Sequence, residues 1–195
     1  LKAEGKSADD YKAAKQADTL MTFYHLEKEE VDELLEKMGY ELPKDYLSKN
    51  LEYYLARTSH GSSLSRVVHA QLANIIDNDE LSWQLYEEAL GSDYVDIQGG
   101  TTGEGIHTGV MAGTVMVSLT NYAGVNLHGT KLKVAPQLPK HWISMEFRLQ
   151  YRGVKYHIFI DQKQVEVTAD QDIVLEIAGK DVSLLGNKIE TISYK

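Results

Sequence analysis

Cysteine is absent from the chain. Disulfides and thiolate metal sites are thereby excluded, and a reducing compartment, the cytoplasm, suits the composition. No apolar run approaches the roughly 18–20 residues of a membrane-spanning helix. The N-terminus, LKAEGKSADDYKAAKQAD, has no signal-peptide core. It also lacks an initiating Met, so residue 1 is not expected to be the natural start. Basic residues are scarce: 20 Lys and Arg face 29 Asp and Glu, for a formal net charge of −9. A protein that grips a nucleic-acid backbone needs a basic stripe, and an anionic membrane surface would repel this chain. A small anionic substrate stays open, because local charge and backbone dipoles can oppose the global sign. Internal repeats and low-complexity tracts are missing as well.

What is present is a large apolar fraction, 43% of 195 residues, enough for a substantial core. Its periodicity changes along the chain. Up to about residue 124 the pattern is helical. SADDYKAAKQADTLMTFYHL opens with Ser7 and Asp10 at capping-box spacing, and Ala13, Ala17, Leu20, Met21 and Tyr24 recur at helical intervals. KEEVDELLEKMG follows, with Gly39 as its stop, and then LPKDYLSKNLEYYLAR, with Pro43 in the first turn. SLSRVVHAQLANIID, NDELSWQLYEEAL with Asn78 as cap, and IHTGVMAGTVMVSLTNYAG complete about six helices. Tyr53, Tyr54, Trp83 and Tyr86 sit at helical spacing and read as core rather than as sugar platforms. From residue 125 the period becomes two. TKLKVAP, SMEFRLQYRG, VKYHIFIDQ, QVEVTAD, DIVLEIAG, DVSLLG and KIETISYK are short alternating runs, with breaks at Arg152-Gly153 and Asp161-Gln162. The order is α then β: a helical domain over 1–124 and a small antiparallel β-sandwich over 125–195.

Three polar segments interrupt this scaffold. Lys15-Gln16 lies within the first helical pattern, where nothing local separates it from a solvated face. RTSHGSSLS, residues 57–65, gathers hydroxyls, His60 and Arg57 around Gly61 just before a helix. Ser62 or Ser63 could cap that helix, and the exposed N–H groups, hydroxyls and His60 could equally hold an oxyanion. DIQGGTTGEGIHTGVMAG, residues 96–113, is rich in glycine and places His107 in the first turn of the last helix. It is neither a P-loop nor a dinucleotide fingerprint. Thr101 and Glu104 stand at capping-box spacing, and Gly109, Ala112 and Gly113 thin the helix for a close neighbour. The histidines have no partner at metal-ligand spacing, so a metal site is not expected. No Gly-x-Ser-x-Gly elbow is present.

Together KQAD at 15–18, TSHGSSLS at 58–65 and GEGIHTGVMAGT at 103–114 resemble the C-terminal part of glycoside hydrolase family 65. LPKHWISMEFRLQYRG resembles the strand that opens that family's terminal sandwich. The form DIQGGTTGEGIH is similar to the branch containing trehalose-acting enzymes. The resemblance implies part of an (α/α)6 barrel, about six helices of twelve, followed by the sandwich. It implies inverting cleavage of an α-linked glucose disaccharide such as trehalose or maltose. Inorganic phosphate is the co-substrate, no other cofactor is used, and β-glucose 1-phosphate is the product. Lys15, Gln16 and His60 would then contact the sugar, and Ser62, Ser63, Gly105 and His107 the phosphate. The family's general-acid glutamate matches nothing here and is expected upstream, in a missing N-terminal part of the same protein. The 195-residue chain alone is accordingly expected to be inactive and prone to form homo-oligomers. In the alternative of a trehalose-type hydrolase, Glu104 would orient water. In a non-catalytic carbohydrate-binding module, Phe147, Tyr151, Tyr156 and Phe159 would form an aromatic row.

Overall fold

The computed structural model describes residues 1–16, 18–95, 103 and 105–194, without the side chains of Lys2 and Asp9. The chain divides into two compact units, Leu1–Val117 and Ser118–Lys195.

The first unit is helical. Its α-helices are α1 Met21–His25, α2 Lys28–Lys37, α3 Tyr46–Arg57, α4 Leu64–Ile75, α5 Asp79–Gly91 and α6 Thr108–Val117. A reciprocal capping box between Glu27 and Glu30 starts α2, and Gly39, at φ +82°, ends the run. Asn78 caps α5 by accepting from the Leu81 N–H at 3.2 Å. Leu20, Leu51, Val68, Leu72 and Ala73 form a buried cluster linking the start of α1 to α3 and α4. Helix α4 is covered along nearly its whole length, from Ser65 to Ala70 and again at Leu72, Ala73 and Asn74.

Several expectations need correction. The helix foreseen over residues 7–26 breaks into 3₁₀ turns at Ala8–Asp10 and Asp18–Leu20 and the five-residue α1. Lys15 and Gln16 are therefore not on a helix. The reason is long-range pairing. Ala14 bridges Thr58 in parallel, and the carbonyls of Ala14 and Lys15 accept from Ser59 and Gly61, so they cannot carry a helical ladder. Pro43 lies ahead of α3 rather than in its first turn, and its carbonyl accepts from the Tyr46 N–H. Ser63 occupies the N-cap of α4 with helical dihedrals, and its side chain makes no capping bond. Of the two glycines in α6, Gly113 brings a neighbour close: a Cβ there would stand 2.8 Å from a Val67 methyl, whereas nothing lies within 4 Å at Gly109. Tyr86 is buried as foreseen, but Tyr53 is exposed and stacks under Arg57. The Thr101–Glu104 capping pair lies outside the described residues.

The second unit opens with a π-helical turn, Ser118–Tyr122, that continues into eight strands. These are β1 Val125–Asn126, β2 Lys133–Val134, β3 Ser144–Tyr151, β4 Val154–Asp161, β5 Gln164–Ala169, β6 Ile173–Ile177, β7 Lys180–Leu184 and β8 Glu190–Ser193. They form two four-stranded sheets, ordered β1-β2-β6-β7 and β3-β4-β5-β8. One pairing is parallel, β2 with β6, so the sandwich is mostly rather than wholly antiparallel. The β3–β4 hairpin turns on Arg152 and Gly153, both at positive φ, which matches the right-handed twist of a tight hairpin. Alternation sends Tyr156, Ile158 and Ile160 of β4 and Val165 and Val167 of β5 into one apolar core with Leu175 and Ile177 of β6. Phe147 and Tyr151 also pack on that core and Tyr156 is inside it, whereas Phe159 points to the other face. The four aromatics do not make one exposed row.

Candidate active site at the N-termini of two helices

Two of the polar segments lie side by side. Ala14 N–H donates to the Arg57 carbonyl at 3.1 Å, Ser59 N–H to the Ala14 carbonyl at 2.8 Å, and Gly61 N–H to the Lys15 carbonyl at 3.0 Å. The Ser59 hydroxyl adds a bond to the same Ala14 oxygen. The two segments pass closely here: a Cβ on Gly61 would stand 3.1 Å from the Lys15 side chain. Lys15 and Gln16 are exposed, and Gln16 donates to Asp18 at 2.6 Å. His60 takes a left-handed φ of +52°, an uncommon conformation for a side-chain-bearing residue, which turns the loop sharply into Gly61. Ser62 is half-buried and Ser63 buried, and their carbonyls accept from Ser65 and Arg66 as α4 begins.

Arg66 anchors the loop from below. It is buried, donates from Nε to Glu88 of α5 at 2.9 Å, and reaches the His60 carbonyl through Nη1 at 3.3 Å. Beside it, His69 is wholly buried and hydrogen-bonds through Nδ1 to the Ser65 carbonyl at 2.7 Å. A carbonyl only accepts, so Nδ1 carries the proton and Nε2 is left with a lone pair. That Nε2 has no partner among the described residues. His69, Ser65, Gln16 and Asp18 line a cavity of about 130 Å³ together with Met21, Leu64 and Val68. His60 and His69 meet edge to face at 4.9 Å, and both hydrogen-bond around Ser65. Burial, then the neighbouring His69 and Arg66, push the His60 imidazole down to about 4, and burial lowers His69 as well. Both rings are therefore neutral near pH 7.

His107 belongs to the second corner. It directly precedes α6, and its carbonyl accepts from Val110 and Met111 in the first turn. Asp93, just past the end of α5, holds it at two points: Oδ2 accepts from the His107 N–H at 3.0 Å, and Oδ1 lies 2.7 Å from Nδ1. The Asp93 side chain is only 7% exposed and that of His107 is 29% exposed. Gly105 is exposed at φ +100°. Glu104, Gly99 and Gly100 lie outside the described residues.

The helix directions relate the two corners. Residues 76–78 join α4 to α5, and Arg66 near the start of α4 meets Glu88 near the end of α5, so these helices run antiparallel. Asp93 after α5 meets His107 before α6, so α5 and α6 are antiparallel too. Helices α4 and α6 therefore point the same way, and Ser62, Ser63 and His107 lie at the same end of the array. The Val67–Gly113 contact brings the two helices together one to two turns further in. Two N-terminal dipole ends thus face one side, a favourable field for an anion.

Asp93, His69 and Arg66 belong to none of the site roles that the sequence motifs imply. Ser65 and His69 at i, i+4 were a visible signal, since such residues share a helix face. Asp93 had none, because it acts across fourteen positions.

Six α-helices, with α4 and α6 opening at a common end, are followed in the chain by two four-stranded sheets, the order of a helical catalytic domain with a C-terminal β-sandwich. Residues 1–116 match the family model described as glycosyl hydrolase family 65 central catalytic domain, and residues 125–184 match its C-terminal domain. The chain belongs to glycosyl hydrolase family 65. It is 44% identical over 184 residues to the trehalose 6-phosphate phosphorylase of Lactococcus lactis, a match covering 94% of this chain and 24% of that protein. It is 30% identical to the alpha,alpha-trehalose phosphorylase of Geobacillus stearothermophilus, covering 87% of this chain and 21% of the relative. A solved structure described as "Putative kojibiose phosphorylase from human microbiome" superposes with a TM-score of 0.72 at 23% identity, covering 93% of this chain and 25% of the other. The chain thus spans about a quarter of the length of the relatives it matches. Among the described residues, no helix is long and apolar enough to cross a membrane.

Proposed function

We propose that the chain is the C-terminal portion of an inverting α-glucoside phosphorylase. The observation that supports this most directly is the common end of α4 and α6. Ser62 and Ser63 enter one helix there, and His107 the other. In this reading the hydroxyls, the helix N-terminal amides, the backbone at Gly105 and His107 hold inorganic phosphate. Lys15, Gln16 and His60 hold the glucose ring, and the cavity beside Gln16 gives the lone pair of His69 Nε2 a hydroxyl donor. A buried acceptor without a partner costs about 1–3 kcal/mol, so a bound hydroxyl there stabilises the complex.

The chemistry follows from inversion. A phosphate oxygen forms a bond to the anomeric carbon from one face as the glycosidic C–O bond breaks on the other. The departing oxygen takes a proton from a carboxylic acid, which this reading assigns to an upstream segment of the parent protein. Phosphate arrives ionised and needs no base. The chain's residues contribute position and charge-assisted hydrogen bonds. Because the Lactococcus relative is named for trehalose 6-phosphate, that sugar heads the list of disaccharides to try.

The test uses the complete parent protein with trehalose 6-phosphate, trehalose, maltose and kojibiose, each with and without phosphate. Phosphate-dependent formation of β-glucose 1-phosphate from one of them is expected. Equal release of free glucose without phosphate would refute phosphorolysis and leave a hydrolase. His107→Ala and Ser62→Ala should raise the KM for phosphate well above its wild-type value. The isolated 195-residue chain should show no turnover.

A further inference from the structure

We infer that Asp93 is the positioning residue that sets which nitrogen of His107 faces the anion and supplies the counter-charge when this ring is positive; the inference rests on the phosphorylase reading above. Both oxygens of the carboxylate are committed to one residue, Oδ2 to the His107 peptide N–H at 3.0 Å and Oδ1 to Nδ1 at 2.7 Å. An ionised carboxylate can only accept, so Nδ1 carries a proton in either charge state of the ring. The nitrogen turned away from Asp93 is then Nε2.

With Nδ1–H committed to Asp93, Nε2 meets phosphate in one of two ways: its lone pair accepts from a P–OH, or, with the proton on the ring, Nε2–H donates to an anionic oxygen. In both a single proton lies between Nε2 and a phosphate oxygen, and Asp93 balances the positive ring when that proton sits on nitrogen. The exposures fit this division of labour: the carboxylate is shielded from water at 7%, while the ring is reachable at 29%. Asp93 does not itself touch the ligand, since a carboxylate against phosphate would repel it. His60 and His69 do not share this arrangement, because their Nδ1 atoms face a hydroxyl and a carbonyl, not a carboxylate.

A simple structural role for Asp93, holding the entry to α6, can be separated from this one. In Asp93→Asn, the amide oxygen can still accept from the His107 peptide N–H. Its NH₂ then faces Nδ1 and drives the ring proton to Nε2, with no negative charge to support a second proton. The first measurement is the side-chain ¹⁵N spectrum of His107 in the 195-residue chain, at a pH where the ring is neutral. The wild type should show the Nδ1–H tautomer and Asp93→Asn the Nε2–H tautomer. An Nε2–H tautomer in the wild type overturns the inference, whether or not the variant folds. The second measurement is steady-state kinetics of the complete parent enzyme. Asp93→Asn should raise the KM for phosphate roughly tenfold or more, the effect of weakening one hydrogen bond to a charged group, and leave the KM for disaccharide unchanged. An unchanged phosphate KM beside a lowered melting temperature would reduce Asp93 to a structural part. A wild-type parent indifferent to phosphate would instead sink the phosphorylase reading, while the tautomer still decides the clasp.

Discussion

Replacing Gly113 by Ala tests the helix contact on which the site's geometry depends. The new Cβ would stand 2.8 Å from one Val67 methyl carbon and 3.3 Å from the other. Ordinary contact begins near 3.4 Å, so α4 and α6 must separate by about half an ångström, or Val67 must leave its rotamer. Val67 is 1% exposed and has nowhere to go. Overpacking of this kind costs about 1–3 kcal/mol. Against it stands the helix propensity of Ala over Gly, a gain of up to about 1 kcal/mol. The net expectation is a loss of about 1 kcal/mol. Gly109→Ala is the control, because nothing lies within 4 Å of its Cβ. It should gain up to about 1 kcal/mol from propensity alone. The two variants should therefore melt roughly 4–8 °C apart, followed by far-UV circular dichroism of the helical unit. Val67→Ala supplies the second arm of a cycle: in that background Gly113→Ala should cost less, as coupled neighbours require. Equal stabilisation by both glycine replacements, or strict additivity with Val67→Ala, would refute the packing of α4 on α6.

Gly124→Ala would place a Cβ 1.9 Å from the Ala135 carbonyl oxygen at a φ of +65°, backbone against backbone with no side chain to yield. It should cost more than about 3 kcal/mol and disrupt the β-unit, as read from amide exchange at Ile158 and Val165. The His60 imidazole is lowered from 6.5 to about 4 in the folded chain, so the unfolded chain binds more protons between those values. Stability is then full above about pH 6.5 and falls as pH drops towards 4, and urea titrations across that window should show the slope. His60→Asn, which tolerates the left-handed φ, should flatten it, leaving the part due to His69; an unchanged slope would count against the burial of His60.

The β half was the more legible because alternation survives in sequence: Tyr156, Ile158 and Ile160 announce their face. Val125–Asn126 carries too few residues to show any period, and the parallel pairing of β2 with β6 is chosen by the tertiary fold. Among the helices, α2 to α6 followed from periodicity, and the starting cap foreseen at Asn78 of α5 holds, whereas Pro43 and Ser63 do not cap and the last helix stops at Val117 before a π-helical turn. The first stretch misled because Ala13, Leu20 and Tyr24 keep helical spacing while the backbone at Ala14 and Lys15 is bonded elsewhere, to residues 57–61. At the candidate site, the motifs pointed to segments, and the structure shows that two of them share backbone hydrogen bonds. The clasp from Asp93 stayed hidden for a physical reason. A lone aspartate after a helix resembles any polar turn residue until its partner, fourteen positions on, is brought back to it.

One carboxylate, that of Asp93, holds His107 twice, by the histidine's own peptide N–H and by its ring. The aim of the imidazole is thereby tied to the end of α5 and the start of α6, so a small tilt of either helix would swing the ring with it, and the stiffness of the helical array becomes the stiffness of the anion's seat.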